Sequence, residues 1–138
     1  MIKVLVVDDS YSWREFHKNA LDEIFIELSE DDYQIDLAEN ARDGYTAVMQ
    51  NNSSPYNLII SDLQMEEDFA PKYAGEWFVE QIKTFKSYIS TRIIISSGCY
   101  NIKQIAENLG TNYIPKRIAV TDLNQYKEEI IKLTKFSQ

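Results

Sequence analysis

Met1-Ile2-Lys3-Val4-Leu5-Val6-Val7-Asp8-Asp9-Ser10 opens the chain, and its reading decides the fold. Ile2–Val7 is a short apolar run rich in β-branched residues, the pattern of a strand buried on both faces, as in a parallel sheet covered by helices on each side. Asp8-Asp9 ends that run far too early for a signal peptide, and no stretch approaches the roughly 18 apolar residues of a membrane span. Ser12 with Glu15 then reads as a capping box. It opens a helix whose apolar residues Trp13, Phe16, Ala20, Ile24 and Leu28 keep helical spacing. His17, between Phe16 and Lys18 and far in sequence from any metal-like partner, is expected at the surface or its boundary.

Outward from this unit the alternation repeats. Tyr33–Ala38 alternates like a half-exposed strand, and Asn40 with Asp43 begins a helix over Ala41–Gln50. Asn57–Ser61 is a third strand around Leu58-Ile59-Ile60, followed by a helix over Gly75–Lys86 carrying Trp77, Phe78, Val79 and Ile82. Arg92–Ser96 is a fourth strand. Ile102, Ile105, Ala106 and Leu109 make the stripe of a fourth helix, which Gly110 ends. Asn112–Pro115 is a fifth strand, and Thr121 or Asp122 caps a last helix with Leu123, Tyr126, Ile130 and Leu133 on one face. Strands alternating with helices in this way imply parallel βαβ units. The expected architecture is an α/β, doubly wound (βα)5 three-layer sandwich around a five-stranded parallel sheet.

The whole chain, residues 1–138, reads as a single domain without repeats or linkers. It carries 14 Lys+Arg against 22 Asp+Glu, a formal charge of −8, which repels nucleic-acid backbones and anionic membrane surfaces alike. No nucleic-acid or membrane partner is therefore expected. The single Cys99 cannot form an internal disulfide and fits a reducing, cytoplasmic setting.

In an open parallel sheet, ligands bind outside the carboxyl ends of the strands. Those ends carry Asp8-Asp9, Asp62, Ser97 and Lys116. Three carboxylates gathered in a small space raise one another's pKa unless a counter-charge is present. Mg²⁺ suits that need, because it accepts a few carboxylates and still keeps positions for water and a phosphate. Lys116 adds a mobile positive point charge.

With these residues in these places, the sequence resembles a response-regulator receiver domain, the phospho-acceptor module of two-component signalling. The segments that carry the resemblance are Val6-Val7-Asp8-Asp9-Ser10, Ser61-Asp62-Leu63-Gln64-Met65, Ile95-Ser96-Ser97-Gly98 and Tyr113-Ile114-Pro115-Lys116. The resemblance implies a flavodoxin-like sheet of strand order 2-1-3-4-5. It implies that Asp62 accepts a phosphoryl group from a sensor histidine kinase or phosphotransfer protein. Asp8, Asp9, Asp62 and the backbone carbonyl of Gln64 would hold Mg²⁺. Lys116 would pair with the phosphoryl oxygens, and Ser97 and Tyr113 would form a switch pair read by a downstream protein effector. A homodimer through the fourth helix, fifth strand and last helix is compatible with the same resemblance.

The sequence also departs from the family pattern. Arg117 follows Lys116 where proline is usual, so the reach of Lys116 depends on the turn after the fifth strand. Glu66 replaces the usual proline after Met65. The segment from Leu63 to Ala74 is longer than the family norm, a surface insertion or a lid using Phe69 and Tyr73, with Glu66, Glu67 and Asp68 at the rim. Cys99, two residues after Ser97, is expected to be a small half-buried thiol. The favoured expectation is a stand-alone receiver; the alternative is a pseudo-receiver that keeps the interaction surface without phosphorylation. An enzyme beyond self-phosphorylation and autodephosphorylation is not expected, since Asp8-Asp9 lacks the Asp-x-Asp arrangement of a related phosphatase class and would repel a flavin phosphate.

Overall fold

Strand β1 (Ile2–Val7) pairs on one side with β2 (Tyr33–Ala38) and on the other with β3 (Leu58–Ser61). In this computed structural model, which describes residues 1–65 and 73–134, β4 (Arg92–Ser97) and β5 (Asn112–Pro115) complete the sheet. The order is β2-β1-β3-β4-β5 and every pairing is parallel, so the expected flavodoxin-like topology is observed. After β1 the chain steps outward to β2 and then returns to β3. The direction of winding therefore reverses between β1 and β3, and the sheet opens a crevice at their carboxyl ends.

Alternation along β1 builds the two helical layers. Val4 and Val6 pack with Ala20, Leu21, Ile24 and Phe25 of α1 (Tyr11–Glu27) and with Tyr126 and Ile130 of α6 (Leu123–Thr134). Leu5 and Val7 point the other way, onto α2 (Ala41–Gln50) and α3 (Ala74–Ile82). The β1 residues from Val4 to Val7 are fully buried, each contributing about 1.5–3 kcal/mol for an aliphatic side chain of this size. A third cluster joins Leu63, Ile95 and Cys99 to Ile102, Ile105 and Ala106 of α4 (Ile102–Leu109). Gly110 closes α4 in the left-handed conformation, φ 72°, which glycine adopts without a Cβ penalty.

Local chemistry moved several boundaries. The cap of α1 is Ser10, whose hydroxyl accepts the Trp13 amide at 3.3 Å, and not the Ser12–Glu15 pair. Asn40 caps α2 as expected, accepting the Asp43 amide at 2.7 Å. Asn57 stays outside β3: its side chain accepts the Lys3 amide while its own amide donates to the Lys3 carbonyl, both at 2.8 Å. α3 stops at Ile82, and the chain continues through a 3₁₀ turn at Lys86–Tyr88. After β5 comes a helix not expected from the sequence, α5 (Lys116–Thr121), which starts directly on the lysine. Asp122 then leaves the helical conformation (φ −148°, ψ 87°) and caps α6 by accepting the Gln125 amide at 3.0 Å. That settles the choice between Thr121 and Asp122. No helix among the described residues is long and apolar enough to cross a membrane.

His17 is not at the surface. It is 1% exposed, and its Nδ1 shares a 2.5 Å hydrogen bond with the Tyr126 hydroxyl of α6. Phe16, Trp13 and Tyr126 surround the imidazole. His17 precedes Ala20, Leu21 and Ile24 by three, four and seven residues, so it lies on the buried stripe of α1. Burial, with a smaller push from the Lys116 charge, lowers its pKa to about 3. A histidine held neutral in the folded state contributes stability that is present above its unfolded pKa, near 6.5, and lost as the pH falls toward 3. Urea unfolding should therefore show the wild type losing about 2 kcal/mol more than His17→Phe between pH 7 and pH 5. The same pH slope in both proteins would contradict a buried neutral His17.

Candidate functional site

Asp8 is the first residue past β1, and its amide still donates to Ala38 of β2 at 3.1 Å. Its carboxylate is 1% exposed; Oδ1 accepts the Ser10 amide at 2.9 Å, and the Arg14 guanidinium secures the Asp8 carbonyl at 2.8 Å. Asp62 occupies the corresponding place after β3, donating its amide to Val7 at 2.9 Å. Its Oδ1 accepts the Leu63 amide at 2.7 Å. Because β1 and β3 are neighbours, these two acids meet at one edge together with half-buried Asp9, and carboxylate oxygens of all three lie within 4.8 Å of one another.

Lys116 reaches this cluster although Arg117 follows it. Its Nζ lies 2.9 Å from Asp8 Oδ2 and donates a 3.0 Å hydrogen bond to Asp62 Oδ2, with the lysine side chain 14% exposed. Pro115, the last residue of β5, holds an extended backbone (φ −61°, ψ 138°), and the chain turns straight into α5. Lys116 is thus the first helical residue, at the carboxyl edge of the sheet. Its ammonium also lies 4.8 Å from the centre of the Trp13 ring.

Burial is the main force on Asp62 and raises its pKa; Lys116 and the Leu63 amide pull it back, while Asp8 adds to the rise. Burial alone would lower the Lys116 ammonium, but Asp62 and Asp8 outweigh it and raise its pKa. Each group thus favours the charged form of the other. Asp8 Oδ2 takes no hydrogen bond among the described residues, its closest partner being the Lys116 ion pair. An all-oxygen donor set with one such carboxylate atom fits a hard divalent cation.

The other sequence-derived residues sit around this centre. Ser97, 1% exposed, ends β4 opposite Pro115, and its Oγ accepts the Cys99 amide at 3.2 Å. Tyr113 on β5 is half-buried against the α4 cluster that includes Cys99 and Ile102. Cys99 itself is a buried free thiol. Gln64 is exposed, two residues past Asp62 on the same loop. Glu66, Glu67, Asp68 and Phe69 lie outside the described residues.

Two contributors escaped the sequence reading. The spacing marks Trp13 only as an apolar residue of α1, yet its ring lies against the Lys116 ammonium. Gly75 was placed only as a helix start, yet its amide donates to Leu63 at 3.0 Å, and a Cβ there would lie 2.1 Å from the Asp62 carbonyl oxygen and 2.7 Å from Leu63 Cα. Only glycine lets α3 press against the Asp62–Leu63 peptide. The small-residue pair Ala74-Gly75 at the helix start was the available signal.

No family model matches this sequence, and neither does any curated protein. Solved structures do match. A phosphorylated cyanobacterial phytochrome response regulator, RcpA, aligns with a TM-score of 0.75 at 18% identity over 99% of this chain and 96% of its own. A signal receiver domain of a two-component histidine kinase from Clostridium thermocellum aligns at 0.73 and 19% identity, covering 97% and 98%. The Mn²⁺-bound form of the response regulator Rcp1 aligns at 0.68 and 20% identity, covering 96% and 93%. The chain has the fold of a response-regulator receiver domain.

Two substitutions probe the site directly. Gly75→Ala should destabilise the protein by about 1–3 kcal/mol in urea unfolding, since the new methyl group meets backbone and not a flexible side chain; unchanged stability would contradict the close approach. Lys116→Met removes the positive charge that competes for Asp8 and Asp62. It should tighten divalent-cation binding several-fold by calorimetry, and weaker binding would show that the lysine does not compete with the metal.

Proposed function

We propose that this chain is a receiver that accepts a phosphoryl group on Asp62, from a histidine kinase or histidine phosphotransfer protein, in a Mg²⁺-dependent reaction. The observation that carries the reading is the buried Asp62 carboxylate, hydrogen-bonded at 3.0 Å to Lys116 and clustered with the carboxylates of Asp8 and Asp9. Phosphoryl transfer needs little covalent chemistry from a protein; it needs positioning and charge neutralisation. An Asp62 oxygen supplies the nucleophile, forming a bond to phosphorus as the bond to the donor histidine breaks. The Leu63 amide on Oδ1 fixes the orientation of the carboxylate. Lys116 pairs with the arriving phosphoryl oxygens, moving from one set of anionic oxygens to another at the same edge.

Asp8, Asp9, Asp62 and the Gln64 carbonyl would hold the Mg²⁺, which neutralises charge on the transferring oxygens when bound. Ser97 Oγ already accepts a hydrogen bond from Cys99, so its own proton is the one it can donate to a phosphoryl oxygen. A shift of Ser97 toward the new anion changes the packing available to Tyr113 and so biases the surface formed by α4, β5 and α6. Tyr100, 97% exposed, lines the groove between these elements together with Ile102, Gln125 and Glu129. With a net charge of −8, a protein effector suits it better than a nucleic acid.

Incubation with Mg²⁺ and acetyl phosphate, followed by intact-mass measurement, should show one added phosphoryl group that chelation of the metal abolishes and Asp62→Asn removes. Full labelling of Asp62→Asn would overturn the acceptor assignment. Metal binding without labelling, by acetyl phosphate or by a panel of phosphorylated histidine phosphotransfer proteins, would replace this reading with the pseudo-receiver one.

A further inference from the structure

Lysine is a poor choice for a fixed charge. Its stem has four rotatable carbon–carbon bonds, and nothing in its own geometry holds the ammonium at one point. At this site the Lys116 ammonium has three close partners: Asp8, Asp62 and the ring of Trp13. The two carboxylates are also the groups that a divalent cation would draw upon. The indole is not, since a metal that takes the carboxylate oxygens leaves the ring face available to the ammonium.

Trp13 is itself well fixed. The Ser10 cap accepts its amide in the first turn of α1. Its ring meets Phe16 edge-on at 5.3 Å and lies 5.6 Å from the His17 ring, and His17 is tied to Tyr126 of α6. The platform under Lys116 is thus a continuous aromatic block spanning α1 and α6, and its surface is only partly exposed to water.

We propose that Trp13 is a positioning residue for Lys116, an aromatic platform that keeps the ammonium at the sheet edge when a divalent cation takes up Asp8 and Asp62. This rests on the receiver reading for its consequence in phosphoryl transfer, but the contact itself is independent of that reading. Without the ring, a lysine displaced by the metal disperses into solvent and must be recaptured for each transfer.

Two arms test it. In NMR spectra of the wild type, the ε-methylene protons of Lys116 should be shifted upfield by the indole ring current and should stay shifted at saturating Mg²⁺. Unshifted signals, or signals that return to ordinary positions when metal binds, would overturn the proposal without any variant having to fold. In the second arm, Trp13→Leu should slow acetyl-phosphate labelling of Asp62 by about ten-fold while Trp13→Phe, which keeps a ring face, stays within about two-fold of wild type. In a Lys116→Met background the same Trp13→Leu change should cost nothing further, because the two residues act as one unit. An equal loss in both backgrounds would assign Trp13 a structural role only. Wild-type protein that takes no label but keeps the ring-current shift would fail the receiver reading and leave the positioning contact standing.

Discussion

Asp8 and Asp62 are withdrawn from water at the carboxyl edge of a parallel sheet, and one ammonium, that of Lys116, pairs with both. Much of the molecule serves this arrangement. Pairing of β1 with β3 sets the two acids side by side, and the parallel direction of the sheet puts both at the same edge. The step from β5 into α5 without an intervening loop delivers the lysine. A charge cluster of this kind costs more to break than to keep, because removing one partner leaves an uncompensated buried ion. It is also poised: a divalent cation or a phosphoryl group can replace one member of the cluster with another of the same sign.

Support for the cluster comes from groups that touch no carboxylate side chain. Gly75 allows α3 to approach the peptide that carries Asp62, and Arg14 secures the carbonyl of Asp8. Trp13, Phe16, His17 and Tyr126 make the floor beside Lys116 and link α1 to α6. His17 belongs to the aromatic floor and not to the acidic edge. Its depressed pKa keeps a second positive charge away from Lys116 even in mild acid.

The sheet was legible because β1, β3 and β4 are written in apolar, β-branched runs and β2 in an alternating one. Helix α2 was legible from Asn40 and Asp43, whose capping bond depends on residues only three apart. Errors fell where a boundary depends on a partner elsewhere in the chain. Asn57 leaves β3 because it bonds Lys3, a residue 54 positions away. The start of α5 at Lys116 has no apolar stripe to announce it over only six residues. His17 reads as a surface residue because polarity along α1 carries no sign that α6 covers it.

The amino-acid sequence by itself determined the alternation of strands and helices, and with it that Asp8, Asp9, Asp62, Ser97 and Lys116 come to one edge. Side-chain periodicity and strand direction are local properties, and in a parallel sheet they suffice to say which end of each strand a residue occupies. Only the tertiary structure decided that Lys116 reaches both Asp8 and Asp62 with Arg117 behind it, that Trp13 lies against its ammonium, and that Gly75 touches the Asp62–Leu63 peptide. Those facts are distances between atoms from different elements, set by how helices pack on the sheet, and no spacing along the chain encodes them.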